Sequence, residues 1–193
     1  KEEGFGDLLP GTEAVILDEA HQVPDVAAQF FGLNVSSRQA VALVRDSLAE
    51  LVRTGHVNPS LREQLMKVEE VFAQALANVR GAKERVDWSE LPDAFIESLH
   101  AAVLAVEALG QAIVDTGSDE AGLKACVRRA EALSGGLARM LEIGPEEGVR
   151  WVDITARAFT LNLSPFEVAA RPREAGDQPV LDRIEAVVDD DDR

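Results

Sequence analysis

Three stretches of this chain place apolar residues at alternating steps of four and three. Leu61, Leu65, Val68, Phe72, Ala75 and Val79 form the first, and Phe95, Leu99, Ala102, Val106, Leu109 and Ile113 the second. Leu123, Cys126, Ala130, Leu133, Leu137 and Met140 form the third. On a helix such spacing draws one narrow apolar stripe, and a stripe of that kind leaves water only by facing others like it. A shorter run, Val41, Val44, Leu48 and Leu51, repeats the pattern once more. The chain is therefore expected to be mainly α, an antiparallel four-helix bundle over residues 36–143. A content rich in alanine and leucine, with seven Phe, two Trp and no Tyr, agrees with helices.

The punctuation between the stripes supports short connections. Ser36 or Ser37 can cap the first helix, and Gly55 ends it. Ser60 with Glu63, just after Asn58-Pro59, reads as a capping box, and Gly81 closes that helix. Ser89 opens the third helix, with Pro92 in its first turn, and Gly117 ends it. Ser118, with Asp119 and Glu120 behind it, opens the fourth. Gly135-Gly136 costs that helix about 1 kcal/mol per glycine and predicts a kink.

Outside the bundle the pattern changes. Ala14-Val15-Ile16-Leu17 is a short apolar run bounded by turn signals, as in a buried strand, and Pro24 starts a short helix through Phe31. After Gly144-Pro145, residues 149–155 and 159–163 read as two strands of a hairpin about Ala156-Arg157-Ala158. A detached strand and hairpin would leave unpaired edges and invite a strand- or domain-swapped dimer. Residues 171–193, ending in Asp189-Asp190-Asp191-Asp192-Arg193, read as a solvated, disordered tail.

Charge and cysteine content narrow the function. A net charge of −16 excludes a nucleic-acid-coating surface over the whole chain. Charge is uneven, however, and Arg128, Arg129 and Arg139 are the local candidates for phosphate contact, against the alternative of a solvated helix face beside Glu131 and Glu142. Cys126 is the sole cysteine, so the chain has no internal disulfide and no cysteine cluster for a metal. The apolar stretches are too short for a membrane span, and no membrane partner is expected. The first residues, Lys1-Glu2-Glu3-Gly4, have no signal-peptide character and no Met, so the chain is expected to begin inside a longer protein. His56 and His100 are lone histidines, and Trp151 reads either as a base-stacking residue or as core.

The chemical signal is Asp18-Glu19-Ala20-His21, at the end of the apolar run. A strand that delivers two adjacent carboxylates suits nucleotide hydrolysis. Asp18 would hold, through water, the Mg²⁺ that bridges ATP phosphates, and Glu19 would activate the attacking water. His21 comes next on the same turn and can couple nucleotide state to a neighbouring lobe. The alternatives are a helix start capped by Asp18 and a metal site built from Glu19 and His21.

Residues 15–24, Val-Ile-Leu-Asp-Glu-Ala-His-Gln-Val-Pro, resemble motif II (Walker B) of superfamily 2 helicases, and more narrowly the bacterial DinG/YoaA branch related to XPD. That branch inserts a helical arch domain soon after motif II. It then returns through a Trp-containing β segment and a Ser/Thr-Pro turn, similar to Arg150-Trp151-Val152 and Ser164-Pro165 here. The resemblance implies residues 1–35 as a fragment of the first motor domain, 36–143 as the arch and 144–170 as a β return. It implies ATP and Mg²⁺ as cofactors, with Asp18, Glu19 and His21 in their motif roles. Single-stranded or forked DNA is the implied partner, DNA repair the implied setting and the bacterial cytoplasm the implied location.

The sequence contains no P-loop of the form Gly-x-x-x-x-Gly-Lys-Ser/Thr. In the branch that loop lies upstream of motif II, as do four Cys ligands of an iron–sulfur cluster in members that carry one. A second motor domain with its arginine finger is also unmatched. The chain is thus expected to be a piece that does not hydrolyse ATP by itself. Two rivals are a helical protein-interaction module with Asp-Glu-Ala-His by accident, and part of a DEAH-class RNA helicase.

Overall fold

The computed structural model describes residues 32–165. Chain order runs β1 (Leu33–Ser36), α1 (Ser37–Thr54), α2 (Pro59–Asn78), β2 (Arg85–Asp87), a 3₁₀ turn (Trp88–Glu90), α3 (Asp93–Val114), α4 (Ala121–Glu142), β3 (Gly148–Ile154) and β4 (Phe159–Pro165). The helices pack in a ring: α1 on α2, α2 on α3, α3 on α4 and α4 back on α1. This is the expected mainly α four-helix arrangement, with a small sheet across it.

The three long seams hold without exception. Every one of their residues is buried, from Leu61 through Val79, Phe95 through Ile113 and Leu123 through Met140. The seam of α1 does not. Val41 is 60% and Leu48 40% exposed, while Ala40, Leu43, Val44, Ser47 and Leu51 face the core. The helix is turned so that small Ala40 and Ser47 lie against its neighbours, and the polar Ser47 interrupts the apolar spacing by which that face could be read.

Helix starts track the chain's prolines more than its serines. Ser36 caps α1 in a full capping box, with Gln39 Oε1 accepting from Ser36 N–H at 2.8 Å. In α2 the cap is Asn58, whose Oδ1 accepts from Leu61 N–H at 2.8 Å, and not Ser60. Pro59 takes the first helical position, where a missing N–H costs nothing, so the cap must precede it. In α3 the expected start at Ser89 yields only the 3₁₀ turn, capped by Asp87. Pro92 holds Leu91 extended, and the helix begins at Asp93. Helix α4 begins at Ala121, later than Ser118 would place it.

No break interrupts α4 at Gly135-Gly136. A Cβ on Gly136 would lie 2.9 Å from Cγ2 of Val35, so this glycine admits β1 close to the helix. The predicted kink site is a contact site.

The hairpin of β3 and β4 is present, with Ile154 opposite Phe159. It is not detached. β1 pairs with β4 and β2 with β3, giving an antiparallel sheet of order β1-β4-β3-β2. Both edges of the hairpin are therefore covered within the chain, and the argument for strand swapping from a bare hairpin falls away. Val35, Leu161, Val152 and Val86 form a buried row across all four strands. Two residues before Leu161 on β4, Phe159 stacks on Phe72, centroids 6.1 Å apart, and meets Phe95 edge-on at 5.3 Å.

Helix α3 departs from one expectation. At 22 residues and a mean hydropathy of 1.3 over its best window, it has the length and composition of a membrane span. It lies between α2 and α4, and nine of its residues are buried, from Phe95 to Ile113. Glu97, His100 and Glu107 mark its other positions.

Candidate nucleic-acid interface

The chain enters this unit on β1 and leaves on β4, and those strands are neighbours. Leu33 is the register partner of Leu163. The two ends of the described unit therefore lie side by side at one end of the sheet. Asp18, Glu19 and His21 lie outside the described residues, as does the strand expected to carry them.

The three arginines singled out on α4 do not form one surface. Arg129 Nη1 binds Asp46 Oδ2 of α1 at 2.8 Å. Arg139 Nη2 lies 3.3 Å from Glu147 Oε2, and Glu147 Oε1 accepts from Gly144 N–H, so this pair closes the loop after α4. Arg128 is exposed and makes no hydrogen bond or ion pair among the described residues; it lines a hollow of about 430 Å³ at the α3–α4 end, beside Lys124 and Glu131. Lys124 is itself held by Asp119 at 2.7 Å.

Arg129 has a second neighbourhood that the sequence did not disclose. It lines a groove of about 350 Å³ between β1, α1 and α4, together with Asn34, Arg38, Gln39, Ala42 and Ala132. Arg38 and Arg129 are the charged groups in its lining. Arg38 is exposed, and its guanidinium has no carboxylate partner among the described residues. Arg45, one helical repeat further along α1, shares Asp46 with Arg129, at 2.9 Å. Hydrogen bonds from Arg129 and then Arg45 hold the Asp46 carboxyl below its usual range. Arg38 and Arg45 belong to a spacing of seven on α1, which places them on one side of the helix. Arg129 is 83 residues from Asp46 in sequence, so only the fold could unite them.

Trp151 is neither core nor free. It sits half-buried on the outer face of the sheet, with the Arg85 guanidinium 5.2 Å from its ring centroid. Its indole Nε1–H donates to Asp153 Oδ2 at 3.3 Å, and Asn162 Nδ2 donates to the same oxygen at 2.9 Å. Arg85 Nε reaches Asp153 Oδ1 at 2.8 Å. Asp153 thus ties three strands together on the side away from the bundle. On the inner side, Arg150 donates to Met140 O at 2.7 Å near the end of α4 and lies 4.5 Å over the Trp88 ring. Burial pulls the Arg150 guanidinium down, and Glu146 and Glu147 oppose that shift. Both sets are structural in geometry.

Cys126 is buried in the α4 seam, and among the described residues no group of three or more His, Cys, Asp or Glu could hold a metal ion. His56 comes directly after Gly55 in the α1–α2 turn and His100 lies on the outer side of α3.

These features define a helical unit hung from two adjacent strands, and its sequence relatives are bacterial ATP-dependent DNA helicases. The chain is 30% identical over 178 residues to the ATP-dependent DNA helicase YoaA of Haemophilus influenzae, across 88% of its own length. It is 31% identical over 188 residues to YoaA of Escherichia coli, across 90% of its length. The unmatched tenth is shorter than either residues 1–31 or 166–193, so the similarity spans all of the described unit. The chain spans little more than a quarter of the length of these relatives, 27% and 28%. It corresponds to a segment of a YoaA-type helicase. No family model matches it.

Proposed function

We propose that this chain is the part of an ATP-dependent DNA helicase in which motif II is followed by an inserted arch domain. The observation that carries this reading is the similarity to two YoaA helicases across the whole unit, on a fold that enters and leaves side by side at Leu33 and Leu163. Adjacent ends are what allow a domain to be inserted into a host without separating the host's own strands. The whole protein would couple ATP hydrolysis to movement along single-stranded DNA, in repair, in the bacterial cytoplasm. The arch would close a passage for the strand against the first motor domain.

In this reading Asp18 holds Mg²⁺ through water. Its carboxylate is the hard oxygen donor that this ion prefers. When bound there, Mg²⁺ would supply positive charge to offset that of the ATP phosphates. Glu19 orients and deprotonates the attacking water, and His21 couples the nucleotide site to the neighbouring lobe. The residues present do not fit an iron–sulfur cluster, since Cys126 is single and buried.

Asp18 and Glu19 have no P-loop in this chain to work against. The purified chain is therefore expected to turn over no ATP. A longer helicase containing this segment is expected to lose DNA-stimulated hydrolysis on Glu19→Gln while still binding nucleotide. DNA-stimulated hydrolysis by the 193-residue chain alone, abolished by Glu19→Gln, would contradict the reading.

A further inference from the structure

We propose that the groove between α1 and α2 is a docking surface for a short amphipathic helix of the same chain, residues 180–188. Nothing in this depends on the helicase reading. The groove follows from the way α1 is turned. Leu43, Val44 and Leu51 face the core, while Val41, Leu48 and Val52 stand outside it, Val52 at 61% exposed. Positions 41, 48 and 52 fall in one stripe along a helix. Beside that stripe, between α1 and α2, lies a hollow of about 270 Å³ whose lining includes Val41, Val44, Phe72, Ala73 and Leu76. A stripe from Val41 to Val52 is about 16 Å long. An amphipathic helix binds by laying its apolar face into an apolar groove of this kind.

The occupant is written near the end of the sequence. Asp189–Asp192 suit solvent, but the nine residues before them have another pattern. On a helix, Val180, Leu181, Ile184, Val187 and Val188 fall within about 120° of one another. Pro179 precedes them, where the first helical turn accepts proline. On the same wheel Glu185 borders one edge of the apolar face and Arg183 the other.

The groove has charges to match. Those in its lining are Glu69 of α2 and Arg157 of the hairpin turn. Both are exposed, and neither forms an ion pair among the described residues. One direction of docking lets Arg183 face Glu69 and Glu185 face Arg157. The reverse direction sets like charges together, so charge selects the direction while the apolar face supplies the attachment.

The length of the intervening chain permits the contact. Strand β4 ends at Pro165, and the hollow lies toward its start, because Ser37 of the lining bonds to Phe159. Six steps of strand cover about 20 Å. Residues 166–179 can span up to about 46 Å. A segment tethered this way meets its groove at an effective concentration on the order of millimolar, so a small apolar face is enough to hold it. A second copy of the chain has no such advantage.

The test is paramagnetic relaxation enhancement in the 193-residue chain, with a nitroxide on Asp190→Cys and with Cys126→Ala to remove the other thiol. Methyl signals of Val41, Val44 and Leu76 are expected to broaden, and those of Leu104, exposed on α3, to stay sharp. Leu181→Asp/Ile184→Asp is expected to abolish the broadening. Both residues lie outside the described unit, so its other signals should keep their positions. Arg157→Glu is expected to reduce the broadening, and Arg157→Glu/Glu185→Arg to restore it.

Sharp groove signals in the parent, or broadening that survives Leu181→Asp/Ile184→Asp, would overturn the docking. Broadening in a mixture of nitroxide-bearing chain with isotope-labelled chain lacking the nitroxide would also overturn it, since the segment would then sit on a second copy. Failure of the paired charge exchange to restore the signal would overturn the assigned direction. The Glu19→Gln ATPase experiment does not involve this groove, so either reading can fail alone.

Discussion

The hydroxyl of Ser37 both accepts from Phe159 N–H, at 3.1 Å, and donates to Phe159 C=O, at 3.3 Å. The β1–β4 ladder ends one step earlier, at Ser36 opposite Thr160. Ser37 is already the first residue of α1, so its backbone can no longer serve the sheet. Its side chain takes over, and the strand passes into the helix without leaving the Phe159 amide and carbonyl unsatisfied in a buried place. Ser37→Ala is expected to destabilise the chain by about 1–3 kcal/mol, the cost of orphaning the buried Phe159 N–H, since the Phe159 carbonyl keeps the Ser36 hydroxyl at 3.4 Å. A urea titration would show this as a lower midpoint with unchanged slope; an unchanged midpoint would mean that water replaces the hydroxyl.

Phe159 is also where the sheet meets two helices at once. It is 1% exposed and touches Phe72 of α2 and Phe95 of α3. Phe159→Ala is expected to cost about 3–5 kcal/mol and Phe159→Leu distinctly less. Thermal melts of both variants check this. Equal losses would indicate that the ring's shape and its contacts with Phe72 and Phe95, rather than the volume it fills, carry the stability.

Gly135 and Gly136 are neighbours with opposite expectations. A Cβ on Gly135 meets nothing within 4 Å, so Gly135→Ala should stabilise α4 by about 0.5–1 kcal/mol through helix propensity. A side chain on Gly136 meets Val35 at 2.9 Å, and Gly136→Val should destabilise by about 1–3 kcal/mol through overpacking of β1 against α4. Denaturation midpoints that move in the same direction for both would refute the distinction.

Asp46 sets a pH dependence of definite sign. Arg129 and Arg45 lower its folded pKa below the ordinary 3.8. A carboxyl depressed on folding stabilises the native state above its unfolded pKa, and that contribution fades as pH falls through the folded value. Carboxyl-detected NMR is expected to place the Asp46 titration below 3.8 in the parent and to move it upward in Arg129→Gln. Titration at the ordinary value in the parent would remove the ion pair from the account. The pair is exposed and screened by salt, so its effect should shrink at high ionic strength.

The three long seams were legible in the amino-acid order, because a period close to 3.6 residues is written directly into the spacing of Leu61 to Val79, Phe95 to Ile113 and Leu123 to Met140. So was the hairpin, through two β-rich runs about a short turn. The resemblance to the helicases was carried by the letters of Asp18-Glu19-Ala20-His21 and of Gln22-Val23-Pro24 after them. Packing settled the rest. Strands of four and three residues, Leu33–Ser36 and Arg85–Asp87, are too short to show a period, and they exist because β4 and β3 offer them edges. The face that α1 buries was set by neighbours close enough to prefer Ala40 and Ser47 over Val41 and Leu48. The groove between β1, α1 and α4 arose in the same way. Arg38 and Arg129 carry no shared local signal, and only packing α4 against α1 and β1 brings their charges to one wall. Local periodicity is a property of one segment, whereas a site assembled across distant segments depends on which faces the packing leaves open.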